Sequence, residues 1–218
     1  MRDTYFTLSE NCFGEYKEKG SKFLAYGFNI SDESDFQIKL DLLKKVHSKA
    51  RHFCYAWRMG IEGENFRTND DSEPNGTAGK PILNQIITAN LTFVAVVVVR
   101  YFGGTLLGTG GLIGAYRECT ASALREAKSV EKIVSQKIEL KCSYIEMPLV
   151  LSALKKLDIS ILKQIFEEDC TWQIEIPMNS VDENFLKLKA EIFKVDKQYA
   201  AQKKWGEIEV TIMGERIF

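Results

Sequence analysis

The stretch FVAVVVVRYFGGTLLGTGG, residues 93–111, governs the architecture of the first half of this chain. Its first seven residues are apolar and mostly β-branched, which favours a strand buried on both faces of a sheet. The run is far shorter than the roughly 20 residues that cross a bilayer, so we expect no membrane span. The glycines after Arg100 end the strand, and the residues after them begin a helix whose buried stripe includes Tyr116.

Upstream of this strand the sequence HFCYAWRMG, residues 52–60, alternates in polarity and predicts a strand with an aromatic core face. His52 and Cys54 lie on the opposite face. Spaced apolar residues from Phe36 to Ala50 predict an amphipathic helix with His47 on its inner side. The remaining predicted elements of this half are strands at Tyr5–Leu8 and Tyr16–Phe28 and a short helix at Leu83–Ala89.

The pattern restarts after a charged junction, residues 128–137, and predicts the order strand, helix, strand, strand, helix, strand from Ile138 to Ile212. This βαββαβ order is that of ferredoxin-like domains. The chain is therefore predicted to be α+β, with an N-terminal domain at residues 1–132 and a ferredoxin-like domain at residues 133–218.

Composition excludes some classes of protein. The net charge of −1 produces no global attraction to nucleic acid or anionic membrane, so such binding needs a local basic face. The five cysteines are far apart and form no CxxC pair, which is typical of reduced thiols in a cytosolic protein. The start of the chain has no apolar stretch suited to secretion, and we expect a cytoplasmic protein.

The loop NDDSEPNGTAGKPIL, residues 69–83, is acidic and then rich in glycine. Asp70, Asp71 and Glu73, with His52, form a possible acidic or metal site, because clustered carboxylates can hold a divalent cation. A solvated acidic loop is the simpler alternative. No cofactor is predicted, although a divalent cation is compatible with these ligands.

Two glycine-rich turns are candidate anion-binding or nucleic-acid-binding elements. In the first, Gly76, Thr77, Gly79 and Lys80 could present backbone amides, a hydroxyl and a positive charge to a phosphate. The spacing is not that of a P-loop, and a simple turn with a helix cap is the alternative.

The second turn contains Gly103, Gly104, Gly110 and Gly111, after a buried strand and before a helix, where α/β proteins often bind anions. Arg100 and Tyr101 stand beside it. They could grip a phosphate and stack on a base, or they could be a strand-terminal charge and a core aromatic.

Four segments, SKFLAYG, ARHFCYAW, DDSEPNGTAGKPIL and VVVVRYFGGTLLGTGGLIGAY, resemble the IMPACT/YigZ family over residues 21–116. The resemblance implies an N-terminal βαβ domain like domain IV of elongation factor G and the second domain of a ribosomal small-subunit protein. It also implies a C-terminal ferredoxin-like domain. Eukaryotic relatives regulate translation by competing for a coactivator of a starvation-responsive initiation-factor kinase.

The family motif covers all the candidate site residues above except Lys80, and it also includes Pro74, Ala78, Pro81, Phe102, Gly108 and Tyr116. Two positions depart from it. Ser72 stands where members usually have glycine, and Gly114 stands where many have arginine.

These observations favour a translation-associated regulatory protein that binds RNA, the ribosome or a translation-associated protein through its N-terminal domain. The alternative is a metal-assisted enzyme acting on a phosphorylated or nucleotide substrate. A regulator that binds proteins through its C-terminal sheet is a third possibility. The sequence assigns neither a specific ligand nor an oligomeric state.

Overall fold

A computed structural model describes residues 4–217 of the chain. Of these, residues 4–132 form one compact unit and residues 133–217 form a second. Residues 1–3 and residue 218, which the sequence assigns to the two domains, lie outside the described residues. Within residues 4–217 there are two five-stranded sheets and six α-helices, so the α+β class is confirmed.

The first unit is built on one antiparallel sheet with the valine strand at its centre. The strand order is β2 (Cys12–Glu18), β3 (Ser21–Asn29), β6 (Val94–Tyr101), β4 (His52–Met59) and β5 (Asn65–Asn69). A further strand, β1 (Thr4–Leu8), precedes them. Every residue from Val94 to Val99 is fully buried, which confirms the predicted strand with two covered faces.

Helices cover both faces of this sheet. Helix α1 (Glu33–Val46) packs Phe36, Leu40 and Leu43 against the aromatic face of β4. Helices α2 (Gly79–Thr88) and α3 (Gly108–Arg125) pack on the opposite face, which is formed by the small and β-branched residues of β4 and β6. Alternation along β4 therefore separates two cores, as its sequence predicts.

Several predicted boundaries in this unit are wrong. The strand predicted at Tyr16–Phe28 is an antiparallel hairpin, because Lys19 and Gly20 both have positive φ and turn the chain. Strand β5 was not predicted, since its residues are mostly exposed and lack an apolar pattern. Helix α2 begins before Leu83, and α1 ends before His47, which is its C-cap residue.

The second unit follows the predicted order with additions. The elements are β7 (Ser129–Cys142), α4 (Met147–Lys156), β8 (Ser160–Phe166), β9 (Cys170–Pro177), α5 (Val181–Phe193), α6 (Lys197–Gln202) and β10 (Glu209–Ile217). The strand order is β8, β9, β7, β10. Trp172 and Ile174 of β9 form a core with Leu154 and Leu188.

Two features of the second unit differ from the prediction. Strand β7 begins at Ser129, so the charged junction predicted before Ile138 is part of a strand. Exposed and less exposed positions alternate from Ser129 to Ile133, which a half-solvated strand permits. Helix α6 was not predicted because it is short and has one buried residue, Ala200. Among the described residues, no helix is long and apolar enough to cross a membrane.

Candidate functional site

The predicted site residues gather at one end of the first sheet. Arg100 near the end of β6 lies opposite His52 at the start of β4, and Tyr101 lies opposite Lys22 near the start of β3. The loop before α2 crosses this end, and the turn after β6 leads from it into α3. Both glycine-rich turns and the acidic loop therefore belong to one region of the first unit.

Asp70 fills the first glycine-rich turn with its own carboxylate. One carboxylate oxygen accepts from the backbone N–H groups of Ala78 and Gly79, and the other accepts from Gly76, each at 2.9 Å. Burial raises the pKa of Asp70, but the three backbone donors outweigh it, so the pKa lies below its usual range. The backbone amides of this turn, which the sequence predicts to bind an external anion, thus bind the carboxylate of Asp70.

The other predicted residues of this turn have different surroundings. Thr77 is buried, and its hydroxyl donates to the carbonyl of Pro74 at 2.6 Å. Lys80 is exposed at the beginning of α2. Of the predicted anion contacts in this turn, the ammonium of Lys80 is thus the group that faces solvent.

His52 and Cys54 hold the acidic loop against strand β4. A ring nitrogen of His52 lies 2.9 Å from the carbonyl oxygen of Asp71, and the thiol of Cys54 donates to the carbonyl of Asp70 at 3.0 Å. The carboxylate of Asp71 accepts from the backbone N–H of Phe53 at 2.6 Å. These contacts give the two β4 residues an anchoring role, and burial raises the pKa of the Cys54 thiol, which favours its protonated form.

Glu73 and Arg100 form a buried ion pair under the loop. Nη1 of Arg100 lies 2.6 Å from Oε1 of Glu73, and their side chains are 6% and 4% exposed. The hydroxyl of Tyr116 donates to the same carboxylate oxygen at 2.8 Å, and burial raises the pKa of Tyr116. The guanidinium also lies over the rings of Phe23 and Phe102. Arg100 is therefore engaged inside the protein.

The carboxylates of the predicted acidic site are thus each bound by internal donors. The described part of the chain contains no group of three histidine, cysteine, aspartate or glutamate side chains placed to hold a metal ion. In this arrangement the acidic residues fasten the loop to strand β4, helix α2 and helix α3.

The second glycine-rich turn is open to solvent. Gly103 packs so closely on Gly20 that a Cβ at Gly103 would lie 1.9 Å from the carbonyl carbon of Gly20. Gly104 has positive φ, as glycine readily does. Leu107 precedes α3 and has an apolar side chain, so it offers no cap to the first amides of that helix. Gly110 and Gly111 lie in this first turn, and Gly110 is exposed.

Tyr101 belongs to a cluster that the sequence did not predict. One ring nitrogen of His47 lies 2.9 Å from the Tyr101 hydroxyl, and the other lies 2.8 Å from the Tyr26 hydroxyl. Burial, followed by the charge of Lys22, lowers the pKa of His47. The sequence predicts one strand over Tyr16–Phe28 where the structure has the β2–β3 hairpin. It therefore does not indicate that Tyr26 lies beside His47.

Basic side chains surround this cluster on the β2–β3 hairpin and on the segment that ends α1 and leads to β4. Lys22 of the hairpin lies opposite Tyr101, and His47 belongs to the other segment. We call this surface the basic end. Its members are Lys17, Lys19, Lys22, Lys44, Lys45, Lys49 and Arg51. Lys22 is partly exposed, and the other six are exposed.

Comparison with known proteins identifies the family. The family described as the Impact N-terminal domain matches residues 19–124. The IMPACT family member YigZ of Escherichia coli (strain K12) is 34% identical over 172 residues, which cover 78% of this chain and 84% of that relative. The chain belongs to the IMPACT family. The resemblance predicted from the four sequence segments is confirmed.

One solved structure extends the likeness beyond the IMPACT N-terminal domain. A crystal structure described as that of a hypothetical protein is 25% identical, covers 98% of this chain and 99% of its own, and superposes with a TM-score of 0.72. The two-domain translational regulator Yih1 is 30% identical in an alignment covering 56% of this chain and 47% of its own, with a TM-score of 0.31.

The two departures from the IMPACT motif have structural counterparts. Ser72 has a φ of 69°, a conformation that glycine adopts without strain. Gly114 lies in α3, where an added Cβ would meet no atom of the described residues within 4 Å. An arginine therefore fits at position 114, and its absence removes one positive charge from the exposed side of α3.

Proposed function

We propose that this chain is a translation-associated regulatory protein whose N-terminal unit binds RNA, the ribosome or a translation factor. Membership of the IMPACT family supports the link to translation, and one relative, Yih1, is described as a translational regulator. We also propose a cytoplasmic location and the domain resemblances to elongation factor G that the family motif implies. Direct contact with RNA is the form of binding that the charges favour.

The basic end is the observation that carries this proposal. Its seven basic side chains lie on two segments that meet where Tyr26 contacts His47, in a protein whose net charge is −1, so they can supply the local positive field that the overall composition lacks. The two carboxylate oxygens of Glu15 lie 3.0 Å from Nζ of Lys17 and 3.0 Å from Nζ of Lys22. Because Glu15 carries one negative charge, one of these two positive charges has no compensation from it. Phosphate groups are the ligands that such a surface attracts.

In this proposal some of the predicted anion-binding residues have a structural role, and others contact the ligand. Gly76, Thr77 and Gly79 shape the region through internal hydrogen bonds, and Arg100 does so through its buried ion pair with Glu73. Lys80 and the first turn of α3 remain as contacts next to the basic end.

The metal-assisted enzyme is the less favoured alternative. Its proposed ligands, Asp70, Asp71 and Glu73, already accept hydrogen bonds from protein donors. A divalent cation would compete for these carboxylates with donors that are partly or fully buried, and any donor that it displaced would lose its partner. Calorimetric titration with Mg²⁺ tests this directly, and tight binding would restore the enzyme hypothesis.

RNA binding across a salt series tests the proposal. We expect fluorescence anisotropy with a labelled single-stranded RNA to show affinity that falls steeply with salt, with a log–log slope of about −3 if about four phosphates are contacted. Co-sedimentation with ribosomes at low salt tests whether the ribosome is the partner. Replacing Lys44, Lys45, Lys49 and Arg51 by alanine should weaken RNA binding and flatten the slope.

A variant with the same change in net charge is the control. Replacing the exposed Lys155, Lys163, Lys203 and Lys204 of the second unit by alanine should leave the slope unchanged. Equal losses in both variants would show that total charge, and not the basic end, drives binding. Absence of binding to both RNA and ribosomes at low salt would refute nucleic-acid binding and leave a protein partner.

A further inference from the structure

Four aromatic rings form a continuous row across the first sheet beside the basic end. The ring of Phe13 on β2 lies 5.2 Å from that of Tyr26 on β3, measured between centroids. The ring of Tyr26 lies 5.4 Å from that of His47, and His47 lies 6.0 Å from Tyr101 on β6. The row thus begins on an edge strand and ends at the centre of the sheet.

The inner part of this row is joined by hydrogen bonds. Both ring nitrogens of His47 are hydrogen-bonded to tyrosine hydroxyls, and its backbone N–H donates to the carbonyl of Leu43 at the end of α1. Tyr26 and Tyr101 are held through the same ring. A surface that is ordered before binding loses little conformational entropy when a ligand arrives.

The outer end of the row is uncovered. Phe13 is 52% exposed, and it is not among the residues that pack with α1 on this face of the sheet. Single exposed apolar residues are common on proteins. Phe13 differs from such residues because it continues a row of ordered rings and because Lys17 and Lys22 lie on the same two strands.

We infer that Phe13, at the exposed outer end of this row, stacks an unpaired base of single-stranded RNA while the basic end holds the phosphates. Stacking on aromatic rings requires bases that are free of a duplex, because paired bases present only their edges in the grooves. The combination of rings and lysines on one surface matches the two requirements of single-strand binding, a stacking platform and a positive track for the backbone. This inference rests on the proposed function and names its ligand class.

A substitution of Phe13 separates stacking from charge. Base–aromatic stacking contributes about 1–3 kcal/mol per base, so Phe13→Ala should weaken binding of an unstructured RNA of about 12 nucleotides by about tenfold to a hundredfold. The salt dependence should stay unchanged, because no charge is removed. Phe13→Trp should retain the affinity, and quenching of its indole fluorescence by RNA would report the stacked base.

Phe66 provides the matched control. It is 59% exposed and lies on β5, at the other edge of the same sheet, so Phe66→Ala should bind RNA like the original protein. An RNA duplex of equal length should bind more weakly than the single strand. A single-stranded DNA of equal length distinguishes recognition of bases alone, which predicts similar affinity, from recognition that includes the ribose.

Three results would overturn the inference. Unchanged RNA affinity of Phe13→Ala, or a preference for the duplex, would refute base stacking while leaving the proposed function intact. Absence of RNA binding by the original protein would refute both. If Phe13→Ala instead lost a protein partner while RNA affinity stayed unchanged, the row would be assigned to protein contact.

Discussion

The buried ion pair between Glu73 and Arg100 predicts a large loss of stability when only one partner is changed. Glu73→Gln keeps an oxygen that can accept from Tyr116, but it removes the charge that compensates the guanidinium. Since the two side chains are 6% and 4% exposed, the uncompensated cation stays away from water. Removing one member of such a pair typically costs about 3–5 kcal/mol, and the retained hydrogen bond places our expectation near 3 kcal/mol.

The unfolding free energy of the first unit must be read separately from that of the second. Urea unfolding followed by pulsed hydrogen exchange measures the unfolding free energy of the first unit when the exchange is recorded on peptides from β4 and β6. Replacing both partners, Glu73→Gln with Arg100→Met, should recover much of the loss, because an apolar side chain needs no counter-charge. The coupling in the double-mutant cycle should be about 2 kcal/mol.

Two results would contradict this account of the loop. A loss below about 1 kcal/mol for Glu73→Gln would show that the guanidinium is solvated or finds another acceptor. Additive effects in the cycle would show that the two side chains do not act as a pair. Tyr116→Phe serves as the control, since it leaves the ion pair in place and should cost about 1–2 kcal/mol.

Three further predictions concern single positions in the first unit. Ser72→Gly should stabilise the protein by up to about 1 kcal/mol in urea unfolding, because it relieves a residue at positive φ; a loss would show that the serine side chain compensates for its backbone. Gly114→Arg should raise the melting temperature through its helix propensity and increase the magnitude of the RNA salt slope by about 0.7, which an unchanged slope would contradict. The pKa of His47 is lowered by burial and by Lys22, so below about pH 6.5 the unfolded chain binds protons that the folded chain does not. Stability should therefore be fully present above about pH 6.5 and should fall as the pH drops below it, and this part of the pH dependence should be absent in His47→Gln.

The main elements of the fold could be predicted because local patterns and burial agree. The valine run, the alternating β4 segment and the apolar stripe of α3 each contain a period that only one secondary structure satisfies. The hairpin between β2 and β3 was missed because Lys19 has no turn signature of its own, and Gly20 alone did not outweigh the apolar residues on either side. Strand β5 was missed because pairing with β4, and not its own composition, makes it a strand.

The sequence indicates which segments form the candidate site, but not which hydrogen bonds join them. The acidic loop, the two turns and Arg100, which the residue types single out, lie in one region of the structure. Which acceptor each donor meets depends on contacts between residues far apart in the chain, such as Tyr116 with Glu73. A carboxylate and an amide-rich turn close together in sequence, as Asp70 and Gly76–Gly79 are, can satisfy one another, and residue types alone do not reveal whether they do.

The carboxylate of Asp70 in its amide cradle has a consequence for the search for ligands. This carboxylate belongs to the same chain as the backbone amides that it binds, and it would compete with any external anion for them. A phosphate that reached this turn would face an effective local concentration of carboxylate that a free anion in solution does not match. Screens of small phosphorylated compounds against the native protein should therefore give no signal from this turn, whereas the same screen with Asp70→Ala would test whether a dormant anion site lies beneath it.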